Sequence, residues 1–328
     1  MDKKIFECET VTPLFLGGAD GTTAELRPPS IKGMMRFWWR ALHGDLSIPC
    51  LKEKEGKIFG SSDEKIGRSK FNIRVNPHNL KTTRKKLPSH LIQVKKFKMN
   101  ILDYLCYGIY EHKSRKNIFI RDYIDQKEKF SIIITSHYPI HNDIEKSLRI
   151  MSTFGGLGSK SRNGFGSFKI LKIDNKPGNF YYKLEKNNFT PELPKYSAFS
   201  QNMRLWKTKN SNGSWDESLA ELGKIYRSGR LNLENKHSYK KRQYIGAPII
   251  VKKIQKSHLD RHSKPYFMSV HHENDSFTGY ILYLPSEYAY GLRKEKFDNE
   301  KETENFTKAC KKLNDYFEND NNLEEVPL

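Results

Sequence analysis

The 328-residue sequence lacks the long apolar runs and the closely spaced cysteines that mark several classes of protein. No apolar stretch approaches the roughly 18 residues that a membrane span needs. Residues 1–6 show no apolar signal region, so we expect an intracellular, cytoplasmic protein. The four cysteines are far apart and form no CxxC pair. We therefore expect ordinary reduced thiols, with neither a disulfide framework nor a zinc site.

Acidic residues are the scarce charge, with 38 Asp and Glu against 58 Lys and Arg. Residues 1–175 carry 32 basic and 18 acidic side chains, and residues 176–294 carry 21 and 10, whereas residues 295–328 carry 5 and 10. A basic excess of this kind favours a polyanionic partner, because binding neutralises phosphates and releases counterions. A lysine-rich proteome is the alternative explanation.

The common catalytic and nucleotide-binding motifs are also missing. No H-E-x-x-H, G-x-S-x-G or paired-carboxylate pattern accompanies the eleven histidines. The spacing G-x-x-x-x-G-K-[ST] of a phosphate-binding loop is not met either. We therefore expect no metal, no cofactor and no nucleotide triphosphate chemistry. Metal-independent RNA cleavage needs only a positioned His, Tyr or Lys, so a ribonuclease stays open as an alternative.

A glycine-rich segment, residues 154–168 (FGGLGSKSRNGFGSF), stands out among the features that are present. Its five glycines let a backbone approach a ligand closely, and its N–H groups, hydroxyls, Lys and Arg are natural donors to phosphate oxygens. The segment predicts a phosphate-bearing partner, and a flexible turn between a helix and a strand is the alternative. The candidate contacts are Gly156, Gly158, Ser159, Lys160, Ser161, Arg162 and Asn163.

A second candidate surface is the predicted helix at 30–42, capped by Ser30. Its apolar residues share one face, which indicates core packing. The opposite face carries Lys32, Arg36, Trp39 and Arg40. A cationic stripe that contains an indole suits phosphates with a base stacked nearby. The alternative is a solvated face on which Trp39 packs against the next element.

The order of predicted elements in residues 1–175 is strand, helix, strand, insertion, strand, helix, strand. The predicted strands lie at 5–11, 71–75, 130–135 and 165–173, and the helices at 30–42 and 142–154. A long basic insertion at about 76–128 contains a predicted helix at 99–110. This order fits a split βαβ, ferredoxin-like domain.

A similar order recurs after a polar, proline-bearing segment at 174–198. The predicted strands lie near 199–206, 265–270 and 278–284, and the helices at 216–227 and 302–317. We predict an α+β chain of two ferredoxin-like (RRM-like) domains in tandem, residues 1–175 and 176–328.

Three strings near the N-terminus, TPLFLGGA at 12–19, ELRPPSIKG at 25–33 and MRFWWRAL at 35–42, carry a family resemblance. They closely resemble the RAMP proteins of CRISPR systems, most of all the subunit-one family of type III-B Cmr effector complexes. Residues 155–167 resemble the RAMP glycine-rich loop, and 246–249 and 261–265 resemble that family's weaker C-terminal motifs.

The resemblance implies two ferredoxin-like domains and a non-catalytic, RNA-binding subunit of the Cmr complex. Its implied partners are guide RNA near the 3′-side, the target RNA that pairs with it, and other Cmr subunits. The candidate residues named above would contact this RNA. Two alternatives remain: a RAMP endoribonuclease that processes guide precursor, and a scaffold whose basic surface binds protein partners.

Overall fold

The computed structural model describes residues 1–113, 116–139, 142–235, 238–291 and 298–328. Two main antiparallel sheets contain the strands β1 (Asp2–Thr10), β2 (Phe71–Pro77), β3 (Lys129–Ser136), β4 (Phe168–Ile173), β5 (Arg204–Thr208), β6 (Tyr266–Glu273), β7 (Ser276–Tyr283) and β8 (Leu323–Glu325). The helices are α1 (Pro28–Leu42), α2 (Ile48–Phe59), α3 (Ile101–Leu105), α4 (Asn142–Phe154), α5 (Trp215–Asn232) and α6 (Asn299–Glu318). The predicted α+β class is confirmed.

The first sheet has the strand order β4–β1–β3–β2, and a two-residue strand, Lys176–Pro177, lies beside β4. Residues Phe6, Cys8 and Thr10 of the central strand β1 are buried, which is the period-two pattern of a strand with one face in a core. Helices α1 and α4 pack against each other and close this core.

The second sheet has the order β6–β7–β5–β8, again with antiparallel neighbours. If strands are numbered within each half of the chain, β5, β6, β7 and β8 are the first to fourth strands of the second half. Read from β8, the second sheet then has the order fourth, first, third, second, which is also the order of β4–β1–β3–β2 in the first sheet. Helix α5 packs against β6 and β7, and α6 packs against α5.

Several predicted boundaries are wrong, for local reasons. Helix α1 begins at Pro28 and not at Ser30, because proline at the first helical positions already has the φ angle that a helix needs. The helix predicted at 99–110 is only the short α3. Helix α2 was not predicted. The rest of the described insertion contains the short hairpins Leu91–Val94/Phe97–Asn100 and Tyr110–Lys113/Lys116–Phe119.

The two halves of the chain share apolar contacts. The Phe267 ring on β6 lies 5.7 Å from the Phe37 ring and 5.1 Å from the Trp38 ring of α1, measured between centroids. The four cysteines are free thiols. Within the described ranges, no helix is both long enough and apolar enough to span a membrane.

Candidate nucleic-acid interface

The glycine-rich segment lies where it was predicted, between the end of α4 and the start of β4. Both of its ends are buried, and only residues 158–163 reach the surface. Backbone hydrogen bonds from Ser159 to Phe15 (2.7 Å) and from Gly166 to Pro13 (2.8 Å) attach it to the loop after β1. These bonds hold the segment in a defined conformation, which does not fit the alternative of a flexible turn.

Its glycines are required by the protein's own backbone. Gly166 has φ +71, and a Cβ there would lie 2.0 Å from the Leu157 oxygen. Gly158 has φ +81, and a Cβ would lie 2.4 Å from the Phe15 oxygen. At the buried Gly156, the Gly166 oxygen would be 2.9 Å away. The chain itself therefore fills the space that Gly156 and Gly158 leave, which corrects the expectation that they make room for a ligand.

Residues 160–163 of the segment line a cleft of about 720 Å³ between the two halves of the chain. The other walls come from α3 and the residues after it, α5, residues 245–248 and residues 261–264. Five basic side chains line it: Lys160, Arg162, Arg230, Arg261 and Lys264. None of the described lining residues is acidic. A cleft with one sign of charge concentrates counter-ions, so this one attracts anions.

Arg162 joins the two halves and is only partly available to a ligand. Its guanidinium lies 4.3 Å from the Phe267 ring centroid and 5.4 Å from that of Phe37, and it donates a hydrogen bond to the Lys264 oxygen. Burial lowers its pKa to about 10, so it stays charged at neutral pH. The Met268 N–H donates to the Arg162 oxygen at 3.1 Å. These contacts with aromatic faces and carbonyls fix the segment onto β6.

The other predicted residues of the segment divide into two groups. Lys160 and Ser161 line the cleft. Lys160 is half-buried, and this burial lowers its pKa. Asn163 also lines the cleft, but its side-chain N–H donates to the Leu105 oxygen at 2.6 Å and so holds α3 in place. Ser159 does not line the cleft.

The cationic stripe of α1 does not line the cleft, and two of its residues pair with α2. The Arg36 Nε and the Arg40 Nη1 lie 2.8 and 2.9 Å from the two carboxylate oxygens of Glu55. Lys32 lies over the Phe71 ring at 5.0 Å, and burial, followed by the charge of Arg36, lowers its pKa. This pairing corrects the expectation of an open phosphate-binding stripe, because a phosphate would have to compete with Glu55.

Trp39 is buried, with 1% of its surface exposed. Its ring stacks on the His43 ring at 4.1 Å between centroids and meets the Phe59 ring of α2 at 6.0 Å. The prediction that Trp39 stacks on an RNA base is therefore wrong for this structure. Trp39 instead packs against the next helix, α2, which was the alternative prediction.

Several residues that line the cleft were not predicted from the sequence. Tyr107, after α3, lies at the cleft with 73% of its surface exposed, and nothing in the sequence singled it out. Arg230 lies in the last turn of α5, beyond the predicted end of that helix. Residues 246–249 and 261–265, which also line the cleft in part, could be found from the sequence only because they resemble motifs of the family. In the structure they are joined by two hydrogen bonds between Ala247 and His262, of 2.8 and 3.2 Å.

Two of the eleven histidines, His262 and His271, are packing residues near the cleft and the sheet. Burial lowers the pKa of His262 to about 4, and its ring lies 4.4 Å from that of Tyr288. Burial likewise lowers the pKa of His271 to about 4. The His271 ring stacks on Tyr181 at 4.0 Å and forms a hydrogen bond with the Thr153 oxygen. Among the described residues, no group of three or more His, Cys, Asp or Glu is placed to hold a metal.

The chain is similar in sequence to proteins of a known family. The model of the RAMP superfamily matches residues 7–169, the range that contains α1 and the glycine-rich segment. The CRISPR system Cmr subunit Cmr1-2 of Pyrococcus furiosus is 33% identical over 185 residues, which cover 53% of this chain and 97% of that protein. The chain belongs to the RAMP superfamily, in the Cmr1 family of type III-B CRISPR systems. The Cmr subunit Cmr1-1 of the same organism is 30% identical over 206 residues, 61% of this chain and 55% of that protein.

Solved structures extend the likeness of this RAMP protein to its second half, at the level of the fold. The crystal structure of Cmr1 from Pyrococcus furiosus in the apo form has a TM-score of 0.56 at 19% identity, over 94% of this chain and 97% of that one. A chain from the cryo-EM structure of the type III-B Cmr-beta complex bound to cognate target RNA has a TM-score of 0.51 at 12% identity, over 95% of this chain and 99% of that one.

Proposed function

We propose that the chain is a non-catalytic, RNA-binding subunit of a cytoplasmic type III-B Cmr effector complex, built from two ferredoxin-like domains. Its curated relatives are named Cmr subunits, and a chain of similar fold comes from a complex bound to target RNA. Two antiparallel sheets, of five and four strands and each packed against helices of its own half, support the two ferredoxin-like domains.

The cleft between the glycine-rich segment and residues 261–264 is the proposed RNA-binding surface. The observation that carries this proposal is the convergence of five basic side chains with no acidic residue among the described lining residues. Such a groove follows a nucleic-acid backbone, and exposed aromatic rings beside it stack on bases. Tyr107 takes the stacking role that the sequence had assigned to Trp39.

The RNA is single-stranded guide near its 3′-side, or the target strand that pairs with it, as the family resemblance implies. In RNA-guided effectors base pairing reads the sequence, while the protein reads the backbone and the shape. A cleft lined by five cations and two serine hydroxyls suits that division, because such groups bind phosphate and sugar oxygens, which are the same at every nucleotide.

Alanine substitution of two cleft residues tests the surface. We expect Lys160→Ala and Arg261→Ala each to weaken binding of labelled single-stranded RNA about tenfold, because each removes a charge-assisted hydrogen bond. The slope of log affinity against log salt should fall by about 0.7 for each phosphate that is no longer neutralised. The effect should be the same for unrelated RNA sequences. The measurement is fluorescence anisotropy at several salt concentrations, on the purified chain and on the assembled complex.

Lys311→Ala is the matched control, because Lys311 is an exposed lysine of α6 that does not line the cleft. Affinity and salt slope in the cleft variants equal to those of the control would overturn the proposed surface. The same reactions, incubated in EDTA and analysed on a gel, should leave the RNA intact. A defined cleavage product would favour the endoribonuclease, and a complete lack of RNA binding would favour the protein-binding scaffold.

A further inference from the structure

Lys264 is a buried cation at the edge of the cleft. Only 9% of its surface is exposed, and its Nζ has no hydrogen-bond partner in the structure. The amine lies over the face of the Tyr226 ring, 4.0 Å from the centroid. In this position the amine has lost its hydration and receives one cation–π contact but no hydrogen bond in exchange, which is costly for the fold.

The groups around Lys264 increase this cost. Burial, and then the charges of Arg162 and Arg230, lower the pKa of the Lys264 amine well below its usual value. The Nε of Arg230 is also buried without a hydrogen-bond partner. One turn further along the chain, the Glu234 carboxylate is bound by the Arg242 guanidinium at 3.1 Å and so is already occupied.

The Lys264 Nζ and the Arg230 Nε are thus donors that no described protein group accepts, on the wall of one cleft, while the Arg230 Nη1 donates to the Tyr104 hydroxyl at 3.3 Å. Lysine supplies a compact charge with three donors, and arginine supplies a planar fork that matches the oxygens of a phosphate. An anion between them would restore the hydrogen bonds that the amine and the guanidinium lack. A neutral ligand would leave the Arg230 charge uncompensated and would not favour the protonated form of the Lys264 amine.

We propose that Lys264 and Arg230 form a site for a single phosphate group, occupied by a backbone phosphodiester of the bound strand. That the phosphate belongs to RNA rests on the proposed function. The site differs from the rim of the cleft, where Arg261 is exposed, because here the phosphate is largely removed from water. One contact of this kind contributes more to affinity than an exposed one, since less water screens it.

The test is Lys264→Met, which keeps most of the length of the side chain and removes its charge. Without ligand, we expect this variant to unfold at a higher temperature than the native chain, because a buried amine is no longer desolvated. Its affinity for hydroxyl-ended single-stranded RNA should fall at least about tenfold. Inorganic phosphate should raise the unfolding temperature of the native chain but not that of Lys264→Met. Lys311→Met, the same change at an exposed position, should resemble the native chain in all three measurements.

Two outcomes separate this site from the proposed function. If Lys264→Met binds RNA like the native chain while Lys160→Ala and Arg261→Ala bind weakly, the buried site is wrong and the cleft stands. If none of the three variants binds weakly, the cleft is not the RNA-binding surface, and a native chain that binds no RNA contradicts the proposed function. A gain in affinity from a terminal phosphate on the RNA, absent in Lys264→Met, would overturn the assignment to a backbone phosphodiester.

If Lys264→Met does not fold, the phosphate site is tested by the effect of inorganic phosphate on the unfolding temperatures of the native chain and of Arg230→Gln. Protection of the native chain by inorganic phosphate, absent in Arg230→Gln, supports the site. Equal protection of the native chain and Arg230→Gln overturns it.

Discussion

Gly166→Ala tests whether the glycines of the 154–168 segment serve the fold. Two costs are expected. A side chain at φ +71 costs roughly 1–2 kcal/mol. The new Cβ would also lie 2.0 Å from the Leu157 oxygen, so the backbone must shift, at about 1–3 kcal/mol for overpacking. The free energy of unfolding should therefore fall by about 2–5 kcal/mol.

Gly21→Ala is a control with the same backbone angle. Gly21 also has φ +71, but no atom lies within 4 Å of the position of its Cβ. Its substitution should cost only the conformational part, roughly 1–2 kcal/mol. The assay is urea unfolding of both variants, monitored by tryptophan fluorescence and circular dichroism. Equal losses of stability in the two variants would refute the argument, because they would show that the segment relaxes around the added methyl group.

Two further predictions concern α1. Glu55→Ala leaves Arg36 and Arg40 without their carboxylate, so the free energy of unfolding should fall by about 1 kcal/mol. The affinity for RNA of any sequence should rise, because two cations are no longer neutralised. An unchanged affinity, measured by fluorescence anisotropy, would show that this face does not contact RNA. Burial acts to lower the pKa of His43, but the hydrogen bonds with Asp143 and the Trp39 oxygen, together with the charges of Asp143 and Asp45, outweigh it and raise the pKa. A raised pKa means that this stabilisation is complete below the unfolded pKa of about 6.5 and is lost as the pH rises through the folded value. Asp143→Asn should therefore lower the unfolding temperature at about pH 6 more than at about pH 8, and an equal decrease at both would contradict the pair.

Most of the main-sheet elements could be predicted because their patterns are local. Strand β1 alternates buried and less buried residues, and α4 buries residues at helical spacing. Helix α2 has no such pattern, since only Leu51, Gly56 and Phe59 of its twelve residues are buried. Missing α2 had a consequence for the site, because α2 supplies Glu55, which pairs with Arg36 and Arg40, and Phe59, which packs against Trp39.

Four properties could be read from the amino-acid sequence without a structure: the basic excess, most of the order of the elements, the glycine-rich segment and the resemblance to RAMP proteins. These properties depend on composition, on short-range periodicity and on local strings. The tertiary structure decided which cations share a cleft. Arg162 and Lys264 are 102 residues apart and meet because the glycine-rich segment docks on β6. Convergence of this kind depends on packing between distant elements, and local periodicity does not encode it.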